Sequence, residues 1–479
     1  VRIVQKYGGS SVKDADRIRA VAGRIAARHR EGHELAVVVS AMGRTTDDLI
    51  ALAEAVVGDR RREPAFAREM DMLLSTGEQV SIALLAMALK ALGVPAVSLT
   101  GWQAGILTEA VHERARIRAV DAKKLRALLA ERTVAIVAGF QGITAGGEIT
   151  TLGRGGSDTT AVALAVALGA DRCEIYTDVP GVYTTDPRIE PRARLLPTVT
   201  YDEMLELAHL GAGVLHPRSV ELAKRYQMPL FVGSSYTDEG GTLIVETRST
   251  RPEDVRHERS TGAASYAQDR SASTELKART AAEAPGASDS TGAHPGASSE
   301  NAGGLEDDRV VSGVALDKAV ARLTLVGLSL RPTTLADLFE ALAAAGVNVD
   351  IIIHTTRNDG TTDVAFSVQE DDVDRARAVL DGLQATLGHA AVEVEADLAK
   401  VSIVGAGMAT RPGVAATMFR LLADAGIPVK MVSTSEIKVS AVIPRALGAD
   451  AVRMLHDGFG LGEENGLGRL AARIAEAAE

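Results

Sequence analysis

Thr151-Leu-Gly-Arg-Gly-Gly-Ser-Asp-Thr-Thr160 sets Arg154 between two glycines and runs straight into the apolar stretch Ala161–Leu168, which Gly169 closes. Ser157 and Asp158 are good helix N-caps, so the segment reads as a glycine-rich loop entering a helix. Free backbone N–H groups at a helix start, beside a guanidinium fork, suit a carboxylate or a phosphate. A capped helix after a flexible loop is the plainer reading. It does not explain an arginine wedged between Gly153 and Gly155.

Working outward, short β-rich runs alternate with amphipathic helical stretches on both sides of this segment. Arg2–Lys6, Leu35–Ser40, Ala96–Leu99, Thr133–Ala138 and Glu174–Thr177 read as buried strands, and Asp14–Arg30, Arg68–Leu92 and Ala122–Ala130 as helices. Such alternation predicts an α/β fold, a mostly parallel sheet sandwiched by helices. Ligands of these sheets bind beyond the carboxyl ends of the strands.

The other notable motifs fall at such ends. Lys6-Tyr7-Gly8-Gly9-Ser10 follows the first strand; its glycines let backbone N–H groups approach an anion, and Lys6 adds a full charge. By itself a strand followed by Gly-Gly is more often a turn, and no Gly-Lys-Ser/Thr follows to make a P-loop. Ser40-Ala-Met-Gly43 reads as a small turn at a strand end, and Thr177-Asp-Val-Pro-Gly-Val-Tyr183 and Asp186-Pro-Arg188 could hold a nucleotide but taken alone read as turns. Glu78, in Gly77-Glu-Gln-Val-Ser81, is a candidate partner for an ammonium group, although a lone helical Glu is usually solvated. His216 and His354 read as structural, and Cys173 as a packed core residue.

Composition narrows the classes. The 479 residues call for two to four domains. A net charge of −11 argues against a nucleic-acid or anionic-membrane partner. One cysteine excludes an internal disulfide, and the ten histidines show no metal-ligand spacing. No apolar run approaches the ~20 residues of a membrane span, and the N-terminus has no signal-peptide layout, so a cytoplasmic protein is expected. Residues 249–309 are Ser, Ala, Gly, Thr and charge, and read as a disordered linker. Beyond them lies an internal repeat. Ala321-Arg-Leu-Thr-Leu-Val-Gly327 recurs as Ala399-Lys-Val-Ser-Ile-Val-Gly405, and Leu338–Val349 recurs as Met418–Val429. Each copy reads strand, helix, strand, strand, helix, strand, the ferredoxin-like order.

With these motifs in place the chain resembles the aspartokinase family, most closely the Bacillus-type enzymes. The match runs through Lys6–Val12, Ser40–Leu49, Thr76–Ser81, Thr100–Thr108, Gly139–Gly142, Thr151–Leu164, Glu174–Arg188 and Val432–Ser440 in family order. The resemblance implies an amino-acid-kinase fold over residues 1–248, then ACT domains at 310–396 and 397–479. It implies ATP with magnesium, the metal held mainly by the nucleotide and water and by no dedicated protein site, and phosphorylation of the side-chain carboxylate of L-aspartate. Lys6 and Asp158 would be catalytic, and Thr46, Glu78, Arg154 and Ser157 would hold aspartate. Lys6, Tyr7, Gly8, Gly9, Ser40, Thr177, Asp178, Tyr183 and Arg188 would contact ATP. Lysine, threonine or both would act as effectors at Asn348, Val349, Asp350, Gly413, Val414, Val429, Lys430, Ser435 and Glu436. A homo-oligomer, or pairing with a shorter ACT-containing subunit, is implied as well. The chain departs from many relatives at Gly213, where a phosphate-binding lysine is common, and at Pro180, where Asp is common.

The proposed chemistry is physically coherent. A β-carboxylate with a pKa near ~4 is already ionised at neutral pH and needs no general base. Its repulsion from the phosphoryl group calls instead for positive charge and alignment. A kinase for glutamate or acetylglutamate, and a catalytically silent amino-acid sensor, are the competing readings. Glu78 and the repeat argue against the first, and Lys6, Arg154 and Asp158 against the second.

Overall fold

The computed structural model describes residues 1–209, 214–237, 240–247, 310–328, 331–358, 360–406, 408 and 411–462. The expected linker at 249–309 and Gly213 lie outside them. The N-terminal part is built on an eight-stranded sheet. Its strands in spatial order are Thr198–Thr200, Thr242–Val245, Leu230–Ser234, Arg172–Thr177, Arg2–Tyr7, Glu34–Val39, Val134–Ala138 and Ala96–Leu99. The six from Leu230–Ser234 onward run parallel, and only the contact of Leu230–Ser234 with Thr242–Val245 is antiparallel. Glu34–Val39 and Val134–Ala138 are nearly continuous apolar runs because helices cover both faces.

Alternation along the central strand sorts its side chains between two cores. Ile3 and Tyr7 join Leu35, Val37 and Val39 beneath the helices Ala15–Arg30 and Thr76–Ala91. Val4 joins Ala36, Val38 and the helix Gly156–Leu168 on the opposite face. Lys6 shares the parity of Val4, so its side chain leaves the sheet toward that second helix. Asp14 caps the helix Ala15–Arg30 by accepting a bond from the Arg17 N–H. The helix expected over 68–92 is broken at Ser75 into Ala67–Leu74 and Thr76–Ala91. Pro64–Ala91 reaches the length and hydropathy of a membrane span, contrary to the expectation of no such run, but half of its apolar window is buried in the protein. Leu85 and Leu89 are fully buried in the sheet core, each worth about 1.5–3 kcal/mol.

A four-stranded sheet of Ile106–Thr108, Ile117–Val120, Gln141–Thr144 and Ile149–Thr151 forms a lobe beside the main sheet. It delivers the chain to Arg154.

Past the linker, six strands form one sheet in the order Ile352–Thr356, Thr362–Gln369, Gly313–Leu328, Ala391–Val404, Lys438–Pro444 and Met431–Thr434. Two of them are long and serve both copies of the repeat. Arg322–Val326 pairs with Ala391–Glu395, and Gly313–Asp317 pairs with Lys400–Val404. Register shifts between Asp317 and Arg322 mark the crossing from one copy to the other. The first copy has its own core around Leu323, Leu338, Phe366 and Leu380. In the second, Val310, Val311 and Val314 pack with Ile403, Met418, Leu422 and Leu455. Sequence order leads one to look for the last strand of the second copy after its helix Gly448–Gly458. Gly313–Asp317 takes that place, so residues that precede the first copy complete the second.

Candidate active site

The carboxyl ends of four neighbouring strands and the start of one helix converge. Lys6 Nζ sits 2.7 Å from Asp158 Oδ1, with each side chain only 12% exposed. The helix carrying Asp158 begins at Gly156 with Gly155 as its N-cap in the left-handed region, φ +69°. Ser157 and Asp158 therefore lie inside the first turn and do not cap it, in contrast to the reading from sequence. The glycine is needed because a Cβ there would run into the His216 ring at 2.2 Å.

Behind Lys6, the loops after two strands are zipped together. Ser40 N–H donates to the Tyr7 carbonyl and Gly43 N–H to the Gly9 carbonyl, and a Cβ on Gly9 would lie 2.8 Å from the Ala41 carbonyl. Gly8 N–H donates to the Tyr176 carbonyl, which ties the loop to the strand ending at Thr177. Ser157 packs against Gly139, where a Cβ would meet its Oγ at 2.6 Å, and Gly139 N–H donates to the Val39 carbonyl.

Glu78, third in the helix Thr76–Ala91, is buried rather than solvated, at 3% exposure. Its Oε1 accepts the Ala41 N–H at 3.1 Å, while Oε2 is buried and accepts nothing. Burial pushes its carboxyl up to about 8, against smaller lowering by backbone N–H bonds. Arg154, between Gly153 (φ +74°) and Gly155, is exposed and pairs with no carboxylate among the described residues. A buried acid aimed at Ala41 and an unpaired arginine fork are what a zwitterion needs at its two α-substituents.

The remaining predicted residues are placed unevenly. Tyr7 is fully buried and stacks on Tyr176 with ring centroids 5.1 Å apart, so only its backbone is available to a nucleotide. Thr46 lies in the first turn of the helix Thr45–Val57, just past the Ser40–Gly43 loop. Thr177 donates to its neighbour Asp178 at 3.0 Å, and Arg188 pairs with Asp186 at 2.7 Å at the surface. Pro180 and Tyr183 lie between them, with Tyr183 bridged to Leu195. Cys173 is buried in the core, where burial pushes its thiol far up, as expected of a packing residue.

Three features escaped the sequence. Phe140 holds a positive φ of 68°, rare for a non-glycine, and a Cβ on Gly156 would meet its ring at 2.9 Å; its place after Gly139 was the only hint. Asp71 and Arg218 brace the Arg154 loop. Finally, the second ACT copy holds the segment after Asp178. His456 Nε2 lies 2.9 Å from Thr184 Oγ1, Asp457 pairs with Arg192 at 2.9 Å, and Val314 N–H donates to the Thr184 carbonyl at 2.8 Å.

The effector candidates flank the long strand Ala391–Val404. Asp350 is bonded to the ammonium of Lys400, and Lys430 pairs with Glu395 at 2.9 Å. Gly413, φ +97°, caps the helix that starts at Val414. Val429 and Glu436 are exposed, and Ser435 turns back onto Lys438. Asn348 and Val349 precede Asp350 in its loop.

Residues 1–234 match the amino acid kinase family and residues 401–459 match an ACT domain. The fold and the site thus define a kinase of the amino acid kinase class with an ACT-type regulatory part. The aspartokinase of Geobacillus stearothermophilus is 48% identical over 462 residues, 96% of this chain and 98% of that one. Aspartokinase 2 of Bacillus subtilis is 48% identical over 459 residues, again covering 96% and 98%. The E. coli aspartokinase III structure in complex with aspartate and ADP is similar with a TM-score of 0.72 at 26% identity, over 96% of this chain and 99% of that one. The chain belongs to the aspartokinase family.

Proposed function

We infer that this chain transfers the γ-phosphoryl group of ATP to the side-chain carboxylate of L-aspartate, giving 4-phospho-L-aspartate. This is the first step toward lysine, threonine and methionine, under feedback control through the ACT copies. The observation that carries the substrate assignment is Glu78: a buried carboxylate oxygen with no protein partner, on a helix that faces the nucleotide-side loops, calls for an ammonium group. Arg154 grips the α-carboxylate, and Thr46 and Ser157 stand nearby. The zwitterion held at both ends leaves the β-carboxylate directed at the phosphate.

Lys6 stabilises the charge that develops on the transferring phosphoryl, and Asp158 fixes where its ammonium points. Backbone N–H groups of Gly8 and Gly9, with Ser40, Thr177, Asp178, Tyr183 and Arg188, hold the nucleotide. Among the described residues no three His, Cys, Asp or Glu side chains cluster as a metal site; magnesium enters on the phosphates and neutralises part of their charge. A cytoplasmic location follows from the substrates.

Lysine, threonine or both bind where Asn348–Asp350, Gly413–Val414, Val429–Lys430 and Ser435–Glu436 come together across paired ACT copies, either between two of these chains or with a shorter ACT-containing subunit. Replacing Asp350 or Glu436 by Ala should raise the inhibitory effector concentration several-fold while uninhibited turnover stays near normal. The decisive assay is ADP formation with aspartate, glutamate or acetylglutamate, with and without lysine and threonine. Turnover is expected with aspartate alone; turnover with another acid and none with aspartate would overturn the assignment.

A further inference from the structure

Arg154 is exposed on a loop of two positive-φ glycines, so something outside the loop must fix its aim. The two flanks of that loop are held from opposite sides. Arg218, second residue of the helix Pro217–Arg225, donates through Nη1 to the Leu152 carbonyl at 2.7 Å and through Nη2 to the Ala115 carbonyl at 2.8 Å. It makes no ion pair among the described residues, so a half-buried guanidinium spends its Nη1 and Nη2 groups on backbone. Burial lowers its pKa accordingly.

Asp71 grips the same two stretches from the other side. It lies on the helix Ala67–Leu74 and is fully buried. Its carboxylate accepts the Thr151 hydroxyl at 2.5 Å, the Glu113 N–H at 3.0 Å and a contact from His112 Nδ1 at 2.7 Å. Ala115 N–H donates to the Thr151 carbonyl at 2.9 Å, which joins the two flanks to each other. The loop lies flat on these supports: a Cβ on Gly153 would come within 3.1 Å of the Glu113 carbonyl.

We propose that Arg218 and Asp71 are positioning residues for aspartate recognition, acting through Arg154 by clamping the backbone on either side of Gly153-Arg154-Gly155. The proposal rests on the reading of Arg154 as the α-carboxylate grip. A long side chain on a flexible loop binds an anion well only if its backbone is held within a fraction of an ångström, because misplacement is costly in both affinity and alignment. Neither clamp belongs to a motif at a strand end, and they stand 83 residues before and 64 after Arg154.

The test is a kinetic cycle on the full chain. Arg218→Gln and Asp71→Asn should each raise KM for aspartate at least tenfold and leave KM for ATP within twofold. Arg154→Ala should also raise KM for aspartate, and adding Arg218→Gln to it should change that value by less than twofold. If the second substitution multiplies the defect instead, Arg218 acts elsewhere and the proposal falls. A loss that appears equally in KM for ATP has the same consequence. Should Arg154→Ala alone leave KM for aspartate unchanged, the underlying grip is what fails. Arg218→Lys, which retains charge and donors, serves if the Gln variant does not fold; it should fall between wild type and Gln-like behaviour, and wild-type KM for aspartate there would also count against the clamp.

Discussion

Glu78 is the residue whose physics is most exposed to experiment. With its carboxyl near 8, the site holds a proton at neutral pH, and pairing with an ammonium expels it. KM for aspartate should therefore fall as pH rises from 6.5 to 8 and then level, while Glu78→Gln shows a higher KM without that slope. The stability sign is equally definite. A folded pKa above the unfolded 4.5 means that the native state binds the extra proton, so this stabilisation is complete below about 4.5 and is lost as pH rises to about 8. Each unit corresponds to about 1.4 kcal/mol, and melting curves of wild type against Glu78→Gln should diverge in that direction. Lys6 and Asp158 make a second case. Because both are mostly buried, Lys6→Ala should lower turnover by about two to three orders of magnitude and also strand the Asp158 charge. The double variant Lys6→Ala, Asp158→Ala should be as inactive yet melt closer to wild type. The glycine-rich contexts drew attention to Lys6 and Arg154, while a role for Asp158 beyond capping its helix came only with the family resemblance. The burial of Glu78 was not, since a helix with one acidic residue looks the same whether that face meets water or the Ala41 loop.

At the level of elements, five of the six parallel strands were readable almost to the residue, for example Arg2–Tyr7 and Val134–Ala138 against the expected Arg2–Lys6 and Thr133–Ala138, while Leu230–Ser234 was not read. A run that is apolar throughout, as Val134–Ala138 is, leaves little ambiguity. The short strands of the side lobe, three or four residues each, offered too little period to detect. Nor could any local pattern show that the helix Gly448–Gly458 docks on the segment after Asp178, because that contact spans 272 residues. The docking has a measurable effect. His456→Ala removes the bond to Thr184 from a fully buried position and should raise KM for ATP several-fold, with KM for aspartate unchanged. An unaltered KM for ATP would show that the contact holds the two parts together without shaping the nucleotide segment.

For the molecule as a whole, the repeat was visible as sequence, but its closure was not: pairing Gly313–Asp317 with Lys400–Val404 is a fact about space. In topological terms the chain opens a bracket at Gly313, writes an entire domain inside it, and closes the bracket at Val404. Text inside a bracket can be removed if its two ends touch, and here they do, since Asp317 and Lys400 are register partners on antiparallel strands. Joining them through an Asn-Gly turn of the hairpin type would write the second copy as an uninterrupted sentence of its own. Such an abridged chain should keep aspartate-dependent turnover and lose its response to effector. It should also melt earlier, because Met431 and Val442 would be uncovered where Val320, Ile351 and Leu398 now lie against them. The inner domain, on this view, is a parenthesis in the chain: able to be gained or dropped whole, because its entry and exit are neighbours.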